Sequence, residues 1–266
     1  MSRTRGTWNT KGTWAAGVLL AVVILLTGYA ALVGDGDEAQ TPAKGGGASP
    51  SVSGAASPEA TYAPPQDWTE PQRWTALPRG QRTDDRGSQV GFPHTAEGAV
   101  AMTAAGNTTR VEGDHSTVDE QVRIYNSYLG KGDQSAQAAE QIKLNAQASD
   151  KTLAQEAGVP AGQPLPSGAY VRTHVVGYKV IKKSADEVTV WLLARVVQKA
   201  GETAEEKGSY TRTLAGAQWQ DGDWKLTAAA TIRAQQDTVG QSEPAMVAPG
   251  DDAFNDAGWT AIREAS

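Results

Sequence analysis

TRTLAGAQWQDGDWKL, residues 211–226, is the stretch from which the fold can be read. Thr211, Thr213, Ala215, Ala217 and Trp219 fall on every second position, the spacing that puts side chains on one face of a strand. Asp221-Gly222 follows, and both residue types accept the positive φ of a two-residue hairpin turn. Alternation resumes at Trp224, Leu226, Ala228, Ala230 and Ile232, so the expectation is a strand running back to Ile232. Working upstream, Val188, Val190, Leu192, Ala194 and Val196 alternate with Thr189, Trp191, Leu193, Arg195 and Val197, the composition of a mostly buried strand. Residues 169–183, AYVRTHVVGYKVIKK, are β-branched and aromatic and read as one more. Short turns between successive strands make an antiparallel meander.

The preceding part has a different period. Thr95 in front of AEGAVAMTAAGN reads as a helix cap, and Gly98 among alanines implies close helix packing. Thr117 and Glu120 have capping-box spacing. Val118, Val122, Tyr125 and Leu129 follow at helical intervals, with Gly130 as a left-handed terminator. Asp133 reads as the cap of a further helix to about Ala157, stopped by Gly158, before Pro160, Pro164 and Pro166. Helices grouped ahead of strands give an α+β class, with helices packed on a curved antiparallel sheet over residues 91–235.

Upstream of that unit the chain changes character twice. Thr13 to Gly34 is an uncharged apolar run, long enough at about 1.5 Å per residue to cross a hydrocarbon core of about 30 Å. Leu20, Ile24 and Leu25 form its centre, and Trp14 and Tyr29 lie towards its interfaces. Arg3, Arg5 and Lys11 precede it in the 1–12 segment without any acid, while Asp35, Asp37 and Glu38 follow. The positive-inside rule then leaves the N-terminus cytoplasmic and the remainder extracytoplasmic, in a single-pass cell-membrane topology. A signal peptide cleaved near Gly28-Tyr29-Ala30 is the competing reading; the length of the run favours the uncleaved anchor. Residues 35–66 are rich in Gly, Pro, Ser and Ala, too poor in apolar groups to offset ordering, and read as a disordered linker.

Residues 67–90 form a semi-ordered approach carrying Trp68 and Trp74, which either lie against the domain or meet a partner. Residues 236–266 form an acidic tail whose Phe254, Trp259 and Ile262 either dock on the sheet or meet a partner.

The net charge of −6 with 24 Lys and Arg against 30 Asp and Glu argues against nucleic acid as the main partner, since no basic stripe follows the anchor. Cysteine is absent, which removes disulfides, thiolate metal sites and a cysteine nucleophile. No spacing of the histidines fits a metal site, and no nucleophile elbow or phosphate-binding loop is present, so no cofactor and no catalytic set is expected. His94 and His115 read as solvent-exposed or capping residues. His174, mid-strand beside Arg172 and Val176, is the one histidine with a route to a pocket.

The helical first half, the long strands and the WQDGDWKL hairpin resemble the cone-shaped fold of nuclear-transport-factor-two-like proteins, the ketosteroid-isomerase or SnoaL-like architecture. The segment GFPHTAEGAVAMTAAGN, with the anchor and linker, is similar to actinobacterial membrane proteins near conjugative elements, and to anchored VirB-type and TcpC-like assembly factors. The resemblance implies a membrane-tethered assembly module or scaffold acting through protein–protein contacts with other membrane-complex proteins. Self-association through an exposed sheet face is a further implication. Binding of a small apolar ligand in the cone is the alternative, and an isomerase- or dehydratase-like enzyme the third reading.

Overall fold

The computed structural model describes residues 68–263. The anchor residues Trp14, Leu20, Ile24, Leu25 and Tyr29 and the 35–66 linker lie outside the described residues. No helix among the described residues is long and apolar enough to cross a membrane.

The architecture is α+β, built on a curved, mostly antiparallel sheet. Its order is β1 (Trp74–Ala76), β9 (Thr260–Arg263), β5 (Ala169–Lys183), β6 (Glu187–Ala200), β7 (Lys207–Gln220) and β8 (Asp223–Leu226), with β4 (Thr109–Glu112) also on β5. A separate short pair joins β2 (Arg82–Thr83) to β3 (Gln89–Val90). Strands β5 to β8 form the expected meander, and β1 beside β9 is the parallel exception. Register shifts at Val175/Gly177 and Val180/Lys182 interrupt the β5–β6 ladder; such bulges bend a strand and raise its twist. The sheet extends past residues 91–235 at both ends, because β1 comes from the approach segment and β9 from the acidic tail.

One face carries the main core. Tyr178, Val188, Val190, Leu192, Ala215 and Ala217 point towards helices α1 (Ala96–Gly106) and α2 (Thr117–Tyr128), where Val100, Met102, Ile124 and Tyr128 meet them with Phe92 and Trp224. Helix α1 is capped by Thr95, whose side chain accepts from Gly98 N at 3.0 Å. The expected close packing is found at Gly98: a Cβ there would stand 2.0 Å from the Pro93 carbonyl oxygen. Helix α3 (Ala136–Glu156) lies against α2, and its Leu153 joins Val111, Val171 and Val196 in a smaller core.

Three local expectations are corrected. The capping box of α2 is formed by Ser116 and Asp119, one residue before the Thr117/Glu120 pair, which frees Glu120 to be buried. Gly130 is extended at φ −61, with its N–H donated to Leu226 O at 2.9 Å, so no left-handed stop is needed. Helix α3 is capped by Ser135, while Asp133 sits in a 3-10 turn and accepts from Ala228 N at 3.1 Å.

The largest difference lies after the hairpin. The turn itself is as expected, with Asp221 at φ 52 and Gly222 at φ 81. The strand to Ile232 is not formed: it stops at Leu226, Thr227 caps a helix through Ala230 N at 3.2 Å, and α4 (Ala228–Thr238) packs on the opposite sheet face. An Ala-Ala-Ala run after Thr227 favours helix over strand, and Gly216 makes room for it, since a Cβ there would lie 2.3 Å from Ala230 C. On the same face, α5 (Asp252–Asp256) and the chain around it bury Phe254 and Trp259 against Leu193 and Ala261.

Candidate functional site

The aromatic residues singled out for docking or partner contact have definite places. Phe254 and Trp259 are fully buried, and the Trp259 indole N–H donates to Ala245 O at 2.8 Å. Gly177 lets Phe254 approach: a Cβ on it would meet the ring at 3.3 Å. Ile262 is half-buried on β9 and packs against the main core. Trp68 and Trp74 are also half-buried, and their indole N–H groups donate to the two oxygens of Glu70 at 2.9 and 2.7 Å. The Trp68 bond and then the Trp74 bond hold the Glu70 carboxyl below its ordinary range. The Trp68 ring covers Gly250, Thr69 N donates to Gly250 O at 2.7 Å, and Gln72 N donates to Asn255 Oδ1 at 2.8 Å. The approach segment and the tail are therefore stapled to one another. Of the five, Phe254 and Trp259 are core, while Trp68, Trp74 and Ile262 keep part of their surface exposed.

The histidines separate into three situations. His174 is exposed and faces Arg195 across the β5–β6 ladder. Its neighbour Thr173 is buried on the helix-facing side, and alternation puts His174 on the other. The route from His174 to a pocket is thereby corrected. His94 stacks on Trp219 with ring centroids 3.9 Å apart, and its Nε2 lies 2.8 Å from Asp186 Oδ1. His115 is half exposed, with Nε2 2.6 Å from Oε1 of the buried Glu120, whose other oxygen accepts from Arg123 at 2.6 Å. Arg123 continues the chain to Ser88 Oγ and Thr108 O, both at 3.0 Å.

The two segments that carried the resemblance touch. Asp223 is buried and accepts from Gly91 N at 3.0 Å, Phe92 N at 3.0 Å and Trp224 N at 2.9 Å, with Lys225 Nζ at 3.2 Å. The Trp224 indole donates to Pro93 O at 2.8 Å. GFPH is thus locked onto the DGDW hairpin by a carboxylate that satisfies otherwise orphaned backbone donors. In the sequence Asp223 appears only as one residue of the WQDGDWKL hairpin. The available signal was an acid just past a turn already satisfied by Asp221-Gly222.

Beside His115 opens a cavity of about 320 Å³. Val111, Leu153, Ala154 and Leu165 supply apolar wall, and Asp114, His115, Ser116, Asp150 and Gln163 the polar rim. The rim is largely committed. Asp150 accepts from Thr117 N at 2.7 Å and Val118 N at 3.2 Å, covering the start of α2. Ser116 Oγ donates to Asp119 at 2.7 Å and accepts from Asp119 N at 3.1 Å, so its hydroxyl serves the cap. The apolar wall is suited to a small hydrophobic group, with His115 held by Glu120 at its edge. Within the fold, Thr109, Thr117 and Thr173 are buried with hydroxyls that meet no protein partner, and Thr109 and Thr173 stand opposite each other across β4 and β5.

No cluster of three His, Asp or Glu able to hold a metal ion occurs among the described residues. Comparisons of the chain with protein-family models, with curated proteins and with solved structures give no match.

Proposed function

We propose that this chain is a membrane-tethered, extracytoplasmic scaffold or assembly module that works by protein–protein recognition in a conjugation- or secretion-like apparatus, with a nuclear-transport-factor-two-like domain at the end of its tether. The observation that carries the reading is the order of parts. A charge-free apolar run with basic residues before it and acids after it leads into a Gly/Pro/Ser-rich linker and then a folded unit. Trp224, Tyr128, Met102 and Leu192 are buried between helices and sheet and form the main core of that unit. Tethering raises the local concentration of such a unit around membrane partners, which is a sufficient physical role for it. The contacts of residues 69–72 with 250–255 hold the segment that follows the linker in sequence to the folded unit. The test is crosslinking in intact host cells followed by identification of the captured proteins. Recovery of membrane-complex components is expected; their absence under conditions where the apparatus operates refutes the scaffold reading.

A second reading rests on the cavity beside His115: a small apolar ligand held between Val111, Leu153, Ala154 and Leu165. Its test is a titration with an environment-sensitive apolar dye. Leu165→Trp, at a half-buried wall position, is expected to abolish dye binding while the fold persists; unchanged binding places the dye elsewhere.

A further inference from the structure

A second depression, of about 370 Å³, opens between the start of α1, the end of β5 and the turn before β9. Its charged lining is three cations, Arg73, Lys179 and Lys183, against one carboxylate, Glu97. In a chain with more acids than bases this local surplus of two positive charges stands out. None of the three cations forms an ion pair with a described carboxylate within 4.0 Å. Two are instead pinned by main-chain oxygens: Lys179 Nζ donates to Ala257 O at 3.0 Å, and Arg73 Nη2 donates to Trp259 O at 3.3 Å.

Those two carbonyls flank Gly258, and this brings the cations together. A Cβ on Gly258 would lie 3.4 Å from Lys179 Nζ and 3.6 Å from Arg73 Nη2. One small volume over this glycine is therefore within contact distance of both positive groups. Gly258 has φ +80, a conformation that side chains rarely adopt, which keeps that volume clear. Like charges so close repel one another unless an anion lies between them. The first turn of α1, at Ala96 and Glu97, opens on the same groove, and the helix dipole adds positive potential there. Val100, Tyr178 and Val180 provide apolar wall beside the charged end.

We propose that this groove binds a phosphate group carried on a ligand with an apolar portion, Arg73 and Lys179 contacting the oxygens over Gly258 and Lys183 closing the outer side. Phosphate fits better than a single carboxylate because its several oxygens, arranged tetrahedrally, can accept from both cations at once. The proposal stands independently of the scaffold reading, since it uses none of the tether. Free phosphate esters and phospholipid headgroups share the recognised chemistry.

The test is isothermal titration of the full chain in a neutral detergent with inorganic phosphate and, separately, with monomeric short-chain phosphatidylglycerol and phosphatidylcholine. Saturable binding of phosphate or phosphatidylglycerol is expected. Tighter binding of phosphatidylglycerol than of either other titrant identifies the source as an anionic lipid headgroup; phosphate at least as tight identifies a soluble phosphate. Arg73→Gln or Lys179→Gln is expected to weaken binding about tenfold each, the size of one lost charge-assisted contact. Glu97→Gln, by removing repulsion, is expected to tighten it. Lys183 is exposed, so Lys183→Glu keeps the fold and tests the groove even if loss of the Lys179–Ala257 contact impairs folding. Absence of binding by both phosphate and phosphatidylglycerol, or equal affinity in wild type, Lys183→Glu and Glu97→Gln, overturns the proposal.

Discussion

Replacing Asp223 by alanine tests whether the GFPH segment is held by a buried carboxylate. The side chain is 7% exposed and accepts from three main-chain N–H groups, of Gly91, Phe92 and Trp224. An unmet buried donor costs about 1–3 kcal/mol. Gly91 and Phe92 are themselves buried, so water reaches their N–H groups only by opening the segment. Lys225 keeps its bond to Ser127 O at 2.8 Å and can reach solvent, so its loss of Asp223 adds little. The expected sum is about 3–5 kcal/mol, in line with removing one partner from a buried charged network. For a unit of roughly 200 residues that lowers the melting temperature by about 6–20 °C. Urea titration followed by circular dichroism measures it, with Asp221→Asn in the exposed turn as the control expected to be near neutral. If Asp223→Ala unfolds within 0.5 kcal/mol of wild type, the carboxylate does not hold the segment, and the account of the lock is wrong.

Five other outcomes follow, four from the geometry and the last from the sequence. Gly216→Ala must push α4 off the sheet or bend β7, and overpacking of this kind is expected to cost about 3 kcal/mol in urea unfolding; a neutral result would mean that α4 yields freely. Trp259→Ala empties a fully buried site and strands Ala245 O, so a loss of about 3–5 kcal/mol is expected, and truncation after residue 250 should yield an aggregating chain in expression trials. Glu112 is held down to about 2 from its ordinary 4.5 by hydrogen bonds from Arg110 and Arg172. A carboxyl depressed in the folded state contributes stability above its unfolded value, and that contribution is lost as pH falls from about 4.5 through about 2. Glu112→Gln should therefore flatten the dependence of stability on pH in that window, and an unchanged slope counts against the bridge between β4 and β5. Protease added to intact protoplasts is expected to digest the domain, and protection until lysis would refute the export topology.

Local chemistry made part of this protein legible without coordinates. Asp221-Gly222 fixed a turn because both positions must take positive φ, and the alternation of β6 and β7 reported a sheet with both faces covered. Thr95 announced α1 because a side-chain acceptor there meets a free N–H. The candidate site was much less legible. His115 and Glu120 meet across a helix start, and Asp150 reaches back from α3 to the beginning of α2, contacts that no spacing rule contains. The same limit explains the missed helix after Thr227, where alternating apolar residues fit either period until Gly216 supplied a surface for a helix to rest on.

The sequence by itself determined the order of parts, the signs of charge around the apolar run, the absence of thiol chemistry, and the class of the folded unit. Each of these depends on residue type or on neighbours a few positions apart. Tertiary structure alone decided that residues 68–76 and 250–263 close on each other, that Phe254 and Trp259 are core, that His174 faces solvent, and that Arg73 and Lys179 converge over Gly258. Those are meetings between segments distant along the chain. Backbone pairing and close packing set them, and neither leaves a periodic trace in the order of the amino acids.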